Sequence, residues 1–323
     1  MSAADAAAGV VTIGETMALM SSRGYGPLPH SAGLDLGIGG AESNVAIGVQ
    51  RLGIPATWVG KVGRDPLGDL VLREISAEGV RVRAVRDDDA PTALMVKERR
   101  TSSRTSVWYY RTGNAGSRLR ADEVDLEAVR SAALLHVTGI SLAVSETLAD
   151  AVARAVAVAR AEGVVVSFDL NFRRKLWSPE TAAASYRSIL PSCDVVFAGD
   201  DEARIALGAM ASDDLQPLEL AARLAEFGPA QSVIKLGERG ATAIIDGARF
   251  ERRAIPITPV DTVGAGDAFV AGYLAELVSG APAEQRLDTA IRAGAYACLS
   301  EGDWEGLPRR AELADLDSDG VAR

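Results

Sequence analysis

Apolar residues along the chain fall into two alternating textures. Short β-branched runs recur at 10–15, 56–60, 81–85, 133–138 and 164–170, with another entering a glycine turn between Ser232 and Gly240. Between them, apolar residues repeat at helical spacing over 45–52, 66–78, 146–161 and 288–300. A strand and helix alternation of this kind predicts an α/β fold, and the near-continuous apolar character of 164–170 suits a central parallel strand covered on both faces. The rhythm breaks twice. Residues 16–38 are rich in Gly, Pro and Ser, and 92–97 and 105–110 read as two strands joined by a charged turn. These pieces predict a small β-sheet lid, with segments at about 16–38 and 91–112, on a single domain spanning 10–313; residues 1–9 and 314–323 are expected to fray. One lid face would lie over a cleft, and the other needs a polar surface or a contact with a second copy.

Length and composition narrow the classes. The 323 residues are 48% hydrophobic and 24% charged, enough for a sizeable core. Lys and Arg number 34 against 44 for Asp and Glu, and the resulting net charge of −10 disfavours nucleic acid and anionic membranes as partners. Cationic side chains that cluster locally against this field are therefore informative. Cys193 and Cys298 lack metal-ligand spacing, and no apolar run reaches membrane-spanning length, so a reducing cytoplasmic setting is expected. His136 lies inside an apolar run and is expected to be a buried, hydrogen-bonded strand residue; nothing patterned beside His30 makes it a site.

The chemistry concentrates at Asp261-Thr-Val-Gly-Ala-Gly-Asp267, just before an apolar helix that includes 270–278. First-turn N–H groups at Gly264, Ala265 and Gly266 make a ready anion site, and the helix dipole is expected to keep Asp267 ionised as a base. An anion cradle beside a base points to phosphoryl transfer onto a hydroxyl. Gly14 ends the first strand, at the edge where parallel sheets bind ligands. Gly39 and Gly40 invite close approach, and Asn44 at the following helix start suits paired sugar hydroxyls. Arg173, Arg174 and Lys175 gather after the 164–170 strand. Tyr109 and Arg111 share one strand face by alternation, so an aromatic hydroxyl and a guanidinium are poised to read a carboxylate. Lys235 ends a strand within reach of a phosphate.

The segment 261–267 resembles the C-terminal signature of the PfkB, or ribokinase, family of carbohydrate kinases, and 39–68, with Gly60-Lys-Val-Gly-Arg-Asp-Pro-Leu-Gly68, resembles its N-terminal signature. The resemblance implies a ribokinase-like three-layer αβα sandwich with a β lid that often makes a dimer interface. It implies ATP and Mg²⁺ as cofactors, Asp267 as catalytic base and Gly264 to Gly266 as anion hole. Lys235, Gly237 and Gly240 would line the nucleotide pocket with Gly264 and Gly266. Glu202 would serve the magnesium network through water, although Gly199 stands where relatives carry Asn. Asp261 matches a loop ligand for a monovalent cation, K⁺, in potassium-sensitive relatives. The segments around Tyr109 and Arg173 resemble 2-keto-3-deoxygluconate kinases in particular, which would make Tyr109, Arg111 and Arg173 sugar-acid contacts beside Gly14, Gly39, Gly40 and Asn44; Met95 stands where some of these enzymes have another Tyr. The implied reaction is transfer from ATP to the C6 hydroxyl of 2-keto-3-deoxygluconate. The alternatives are a fructokinase or other neutral-sugar kinase, which has little use for Arg111 and Arg173, and a sugar-acid sensor without turnover. A nicotinamide dehydrogenase is disfavoured because Gly37-x-Gly39-x-x-Glu42 lacks a third glycine.

Overall fold

A computed structural model describes residues 8–101, 104–208 and 214–317. Among the described residues thirteen strands form two sheets: β1 (Val10–Ile13), β2 (Met17–Ser22), β3 (Leu34–Gly39), β4 (Ala56–Gly63), β5 (Arg81–Asp87), β6 (Leu94–Thr101), β7 (Arg104–Tyr110), β8 (Leu134–Thr138), β9 (Val165–Asp169), β10 (Val195–Gly199), β11 (Gln231–Lys235), β12 (Ala241–Ile245) and β13 (Ala248–Arg252). The large sheet has the order β13-β12-β11-β10-β9-β8-β1-β4-β5. Its strands run parallel from β5 through β11, and β12 and β13 close the edge antiparallel.

Alternation along each parallel strand feeds two separate cores. Val10, Trp58 and Phe197 pack on one face with the helices Ala41–Arg51, Pro66–Ala77, Ala265–Val278 and Ala283–Ala297. Val11, Val59 and Val196 pack on the other with Glu146–Ala161, Pro179–Ile189, Asp200–Leu207 and Pro217–Ala225. Three layers result, as the family resemblance implies, on the α/β order that the alternation predicts. The helix Ala265–Val278 is buried over 268–276 and apolar on all sides, because it is flanked by Ala41–Arg51 and Ala283–Ala297 as well as by the sheet.

Several boundaries move. The helix expected at 45–52 begins at Ala41 with Gly40 at its N-cap, so Glu42 and Asn44 lie in its first turns. The tail expected to fray from 314 instead carries 3-10 turns over Arg310–Asp317; Leu313 is buried, and Arg310 Nη1 meets Glu276 Oε1 at 2.6 Å. The rest of both expected tails, 1–7 and 318–323, lies outside the described residues. His136 is fully buried on β8 beside the Ser167 hydroxyl, 3.0 Å away, and burial pushes its pKa down to about 3. Both cysteines are free.

The lid is the second sheet, β3-β2-β6-β7. Its register sorts side chains into rows. Leu36, Met20, Val96 and Trp108 align across the outer face; Gly37, Leu19, Met95 and Tyr109, then Asp35, Ser21, Lys97 and Val107, align across the face over the cleft. The glycine-rich 60–68 stretch is the anchor of this lid. Asp65 caps the helix Pro66–Ala77 by accepting Gly68 N–H at 2.7 Å, and it also accepts the backbone N–H and hydroxyl of Thr92, at 2.7 and 2.8 Å, where the chain enters β6.

Candidate active site

Between lid and sheet lies a cleft of about 660 Å³. Its floor is the N-terminus of the helix Ala265–Val278. Gly264 caps that helix in the left-handed region (φ 76°), where a β-carbon would overlap the Asp303 carbonyl oxygen. First-turn N–H groups have no intrahelical acceptor, and among the described residues no backbone oxygen outside the helix accepts from those of Gly266 and Asp267. Of the glycines expected to form an anion cradle, Gly264 and Gly266 line the cleft at this helix start.

Asp267 sits in that turn, with Oδ2 accepting from Asn44 Nδ2 at 2.8 Å. The helix-dipole argument predicts a low pKa, and here it is outweighed: desolvation in the recess pushes Asp267 up to about 6, while the Asn44 hydrogen bond, Arg173 and Lys235 pull it back. A carboxylate near 6 is ionised at neutral pH yet basic enough to take a proton. Asp303, from the loop after the helix Ala283–Ala297, lines the same recess. Desolvation and the facing Asp267 raise it to about 7, against the pull of Lys97 and Asn44. Gly39 has to be glycine for this approach, since a β-carbon would overlap Asp303 Oδ2.

The opposite wall carries the positive charge. Arg111, only 10% exposed, pairs with buried Glu15 at 2.5 Å, and its guanidinium also lies 5.8 Å from the Tyr109 ring centre. Lys175 Nζ also stands over that ring, 5.7 Å from its centre, and donates to the Val107 carbonyl at 2.9 Å. Arg173 is exposed to the cleft and bonds only the neighbouring Phe172 carbonyl, at 3.1 Å. A left-handed turn at Asn171 (φ 41°) sends this loop back toward the sheet, where Phe172 N–H reaches Glu202 Oε1 at 2.8 Å. Glu202 Oε2 takes Gly199 N–H at 2.7 Å, so the carboxylate caps its own helix while lining the cleft. Lys235 Nζ is held by both Asp169 oxygens, at 2.8 and 2.7 Å, beside Gly266.

Gly39, Gly40, Asn44, Tyr109, Arg111, Arg173, Glu202, Lys235, Gly264, Gly266 and Asp267 all converge on the cleft. Five other candidates do not line it. Ala265 lies within the helix turn. Gly14 is displaced by its neighbours: it backs onto the Glu42 carboxyl, and it is Glu15 and Glu42 that face the cleft. Glu42 is fully buried, accepts the hydroxyls of Thr138 and Ser141 at 2.7 and 2.6 Å, and has its pKa raised by desolvation. Gly237 and Gly240 (φ 57° and 99°) shape the turn between β11 and β12, away from the lining. Asp261 is already engaged, with Oδ2 on Lys97 Nζ at 2.7 Å and Oδ1 on Val263 N–H at 3.1 Å. Glu15, Glu42, Lys97, Asp169 and Asp303 are the charged lining residues that reasoning from the sequence does not single out.

The chain matches the pfkB family carbohydrate kinase model over residues 7–310. It is 34% identical over 316 residues to the 2-dehydro-3-deoxygluconokinase of Bacillus subtilis (strain 168), covering 95% of this chain and 94% of that one. It is also 34% identical over 295 residues to the 2-dehydro-3-deoxygalactonokinase of Haloferax volcanii, covering 91% and 92%. Among solved structures, a fructokinase with bound ATP from Xylella fastidiosa superposes with a TM-score of 0.82 at 26% identity, covering 95% and 97%. Both signatures, the sandwich with its lid and the full-length likeness agree, and this chain is a carbohydrate kinase belonging to the pfkB family.

Proposed function

We propose that this kinase moves the γ-phosphoryl group of ATP onto the C6 hydroxyl of 2-keto-3-deoxygluconate. The observation that carries the reading is the polarity of the cleft: Arg111, Arg173 and Lys175 beside Tyr109 on one wall, and the Asn44–Asp267 pair on the helix floor. A carboxylate at one end of a short polyol would meet Arg173 and Arg111. Its other end would lie at Asp267, which takes the hydroxyl proton as the oxygen attacks phosphorus and the bond to the ADP oxygen breaks. N–H groups of Gly264 to Gly266 would stabilise charge on the transferred group, and Lys235 would offset charge on the nucleotide phosphates. Magnesium supplies further neutralisation of phosphate charge when bound. Among the described residues no cluster of three or more His, Cys, Asp or Glu is disposed to hold a metal, and both Glu202 oxygens already accept backbone N–H groups. That donor set fits an ion brought by the nucleotide and held through water by Glu202.

A fructokinase reading accounts for the base and the cradle but leaves Arg173 and Lys175 without a task. The outer lid row of Leu36 and Trp108, both exposed, with Tyr110 beside it, supports pairing of two copies through their lids. No helix among the described residues is long and apolar enough to cross a membrane, and dependence on ATP supports a cytoplasmic setting. The test is the product. After incubation with ATP, Mg²⁺ and 2-keto-3-deoxygluconate, phosphorus–proton coupling in the NMR spectrum should place the ester on the C6 methylene; an ester elsewhere, or unconsumed ATP, contradicts the proposal.

A further inference from the structure

We infer that Lys97 is a built-in monovalent cation for the anion-hole loop, so that the enzyme works without potassium. The inference rests on the proposed kinase reaction for its catalytic consequence and on the ion pairs alone for its structural one.

The loop that leads into the helix Ala265–Val278 is held internally by Val263 N–H on Asp261 Oδ1, at 3.1 Å, and Ala265 N–H on the Thr262 carbonyl, at 3.4 Å. Residues 260–264 are laced to the neighbouring 298–303 loop by Val260 N–H and Asp261 N–H, both donated to the Cys298 carbonyl, and by the close packing of Gly264 on Asp303. A carboxylate in such a loop attracts a cation that bridges the two segments, and Asp261 is the position where potassium-sensitive relatives are expected to hold one. Here the carboxylate does not fit that role. Its Oδ2 is 2.7 Å from the Lys97 ammonium and its Oδ1 accepts Val263 N–H, while the lysine side chain is 6% exposed and the aspartate side chain 18%. An ammonium at this distance carries the same charge as a potassium ion and is tethered to the protein.

The tether has a direction. Lys97 comes from β6, a strand of the lid, and two residues along the same face Arg99 Nη1 donates to Glu301 Oε2 at 2.6 Å. One lid strand thus clasps both loops, Lys97 holding 260–264 and Arg99 holding 298–303. Lys97 also draws on Asp303, so its charge acts on both loops. Seating of the lid over the sugar and ordering of the cradle under the phosphate become one event, with no separate ion to recruit. Lys97 is a positioning residue: it acts through Asp261 on the backbone that meets the phosphate.

The experiment replaces N-methyl-D-glucamine by K⁺ at constant ionic strength and reads both melting temperature and turnover, for the wild type, Lys97→Met and the double variant Lys97→Met with Asp261→Asn. The wild type is expected to be flat in both readouts. Lys97→Met without K⁺ should lose about 10- to 100-fold in kcat, the scale of a misplaced reacting group, and recover saturably as K⁺ or NH₄⁺ is added, with a parallel rise in melting temperature; the double variant should not respond. A saturable rise in the wild type with K⁺, or a Lys97→Met enzyme that is fully active or indifferent to the ion, overturns the inference. Should Lys97→Met not fold, the wild-type titration decides alone. Melting data are independent of the substrate, so a failed kinase reading would show as absent turnover with the cation response intact.

Discussion

Asn44 Nδ2 donates to Asp267 Oδ2 at 2.8 Å across 223 residues of sequence, tying the helix that follows the Gly39-Gly40 pair to the helix that starts at the anion cradle. This bond favours the ionised form of Asp267. Asn44→Ala should therefore raise the pKa of the base above about 6. The acid limb of the kcat/KM profile, where activity is lost as pH falls through that pKa, should move to higher pH. A pH-rate profile of the variant against wild type checks it.

Asp267→Asn removes the proposed base and should lower kcat by about 10²- to 10⁴-fold with ATP affinity nearly unchanged, as single-turnover and binding measurements would show. Its effect on stability has the opposite sign. Because desolvation raises the folded pKa to about 6 from an ordinary 3.8, ionisation costs stability as pH rises through that window. The variant should melt above the wild type at pH 7 and lose that advantage below pH 4.

Two glycines of the cradle should fail differently. Gly264 adopts φ 76° with the Asp303 carbonyl against it, so Gly264→Ala should destabilise the protein and lower its melting temperature. Around Gly266 the nearest atom to a new β-carbon is Lys235 Nζ at 3.9 Å. Gly266→Ala should keep or gain about 0.5–1 kcal/mol of helix stability while filling space meant for phosphate, which calorimetric melting alongside an ATP-turnover assay would reveal.

The two arginines of the opposite wall also divide. Arg111 neutralises Glu15, which is 3% exposed, so Arg111→Ala strands a buried carboxylate and should cost about 3–5 kcal/mol. Arg173 is exposed with one local bond. Arg173→Ala should leave denaturant unfolding nearly unchanged and raise KM for the sugar acid, which makes it the cleaner probe of substrate charge.

How much of this was legible in the sequence follows from which residues depend on neighbours in the chain. Gly264, Gly266 and Asp267 belong to one helix start, so their juxtaposition could be read locally. The strand and helix rhythm likewise exposed the α/β order, because period 2 and period 3.6 are local properties, while the layering of the sandwich came from the family resemblance. The strand pattern points to Gly14 as a cleft residue, but Glu15, one position on along the chain, lines the cleft; where a strand ends decides this, and strand ends are set by tertiary pairing. Desolvation of Asp267 is not legible in the sequence, since it depends on tertiary burial in a recess that residues distant in the chain, Asn44 and Asp303, share with it. Asp303 reads as one acidic residue in a Gly-Asp-Trp-Glu-Gly loop until Gly39 is seen to make room for it. Lys97 reads as a strand charge until Asp261 is found beneath it.

The measurement closest to the central claim is the ratio of kcat/KM for 2-keto-3-deoxygluconate to that for fructose, taken by ADP release in wild type and in Arg173→Ala. A charge-assisted contact is worth about 1.5–3 kcal/mol, or roughly 10- to 150-fold. The ratio should therefore strongly favour the acid in the wild type and fall by that factor in the variant. Equal or greater preference for fructose in the wild type, or a ratio indifferent to Arg173, would contradict the account.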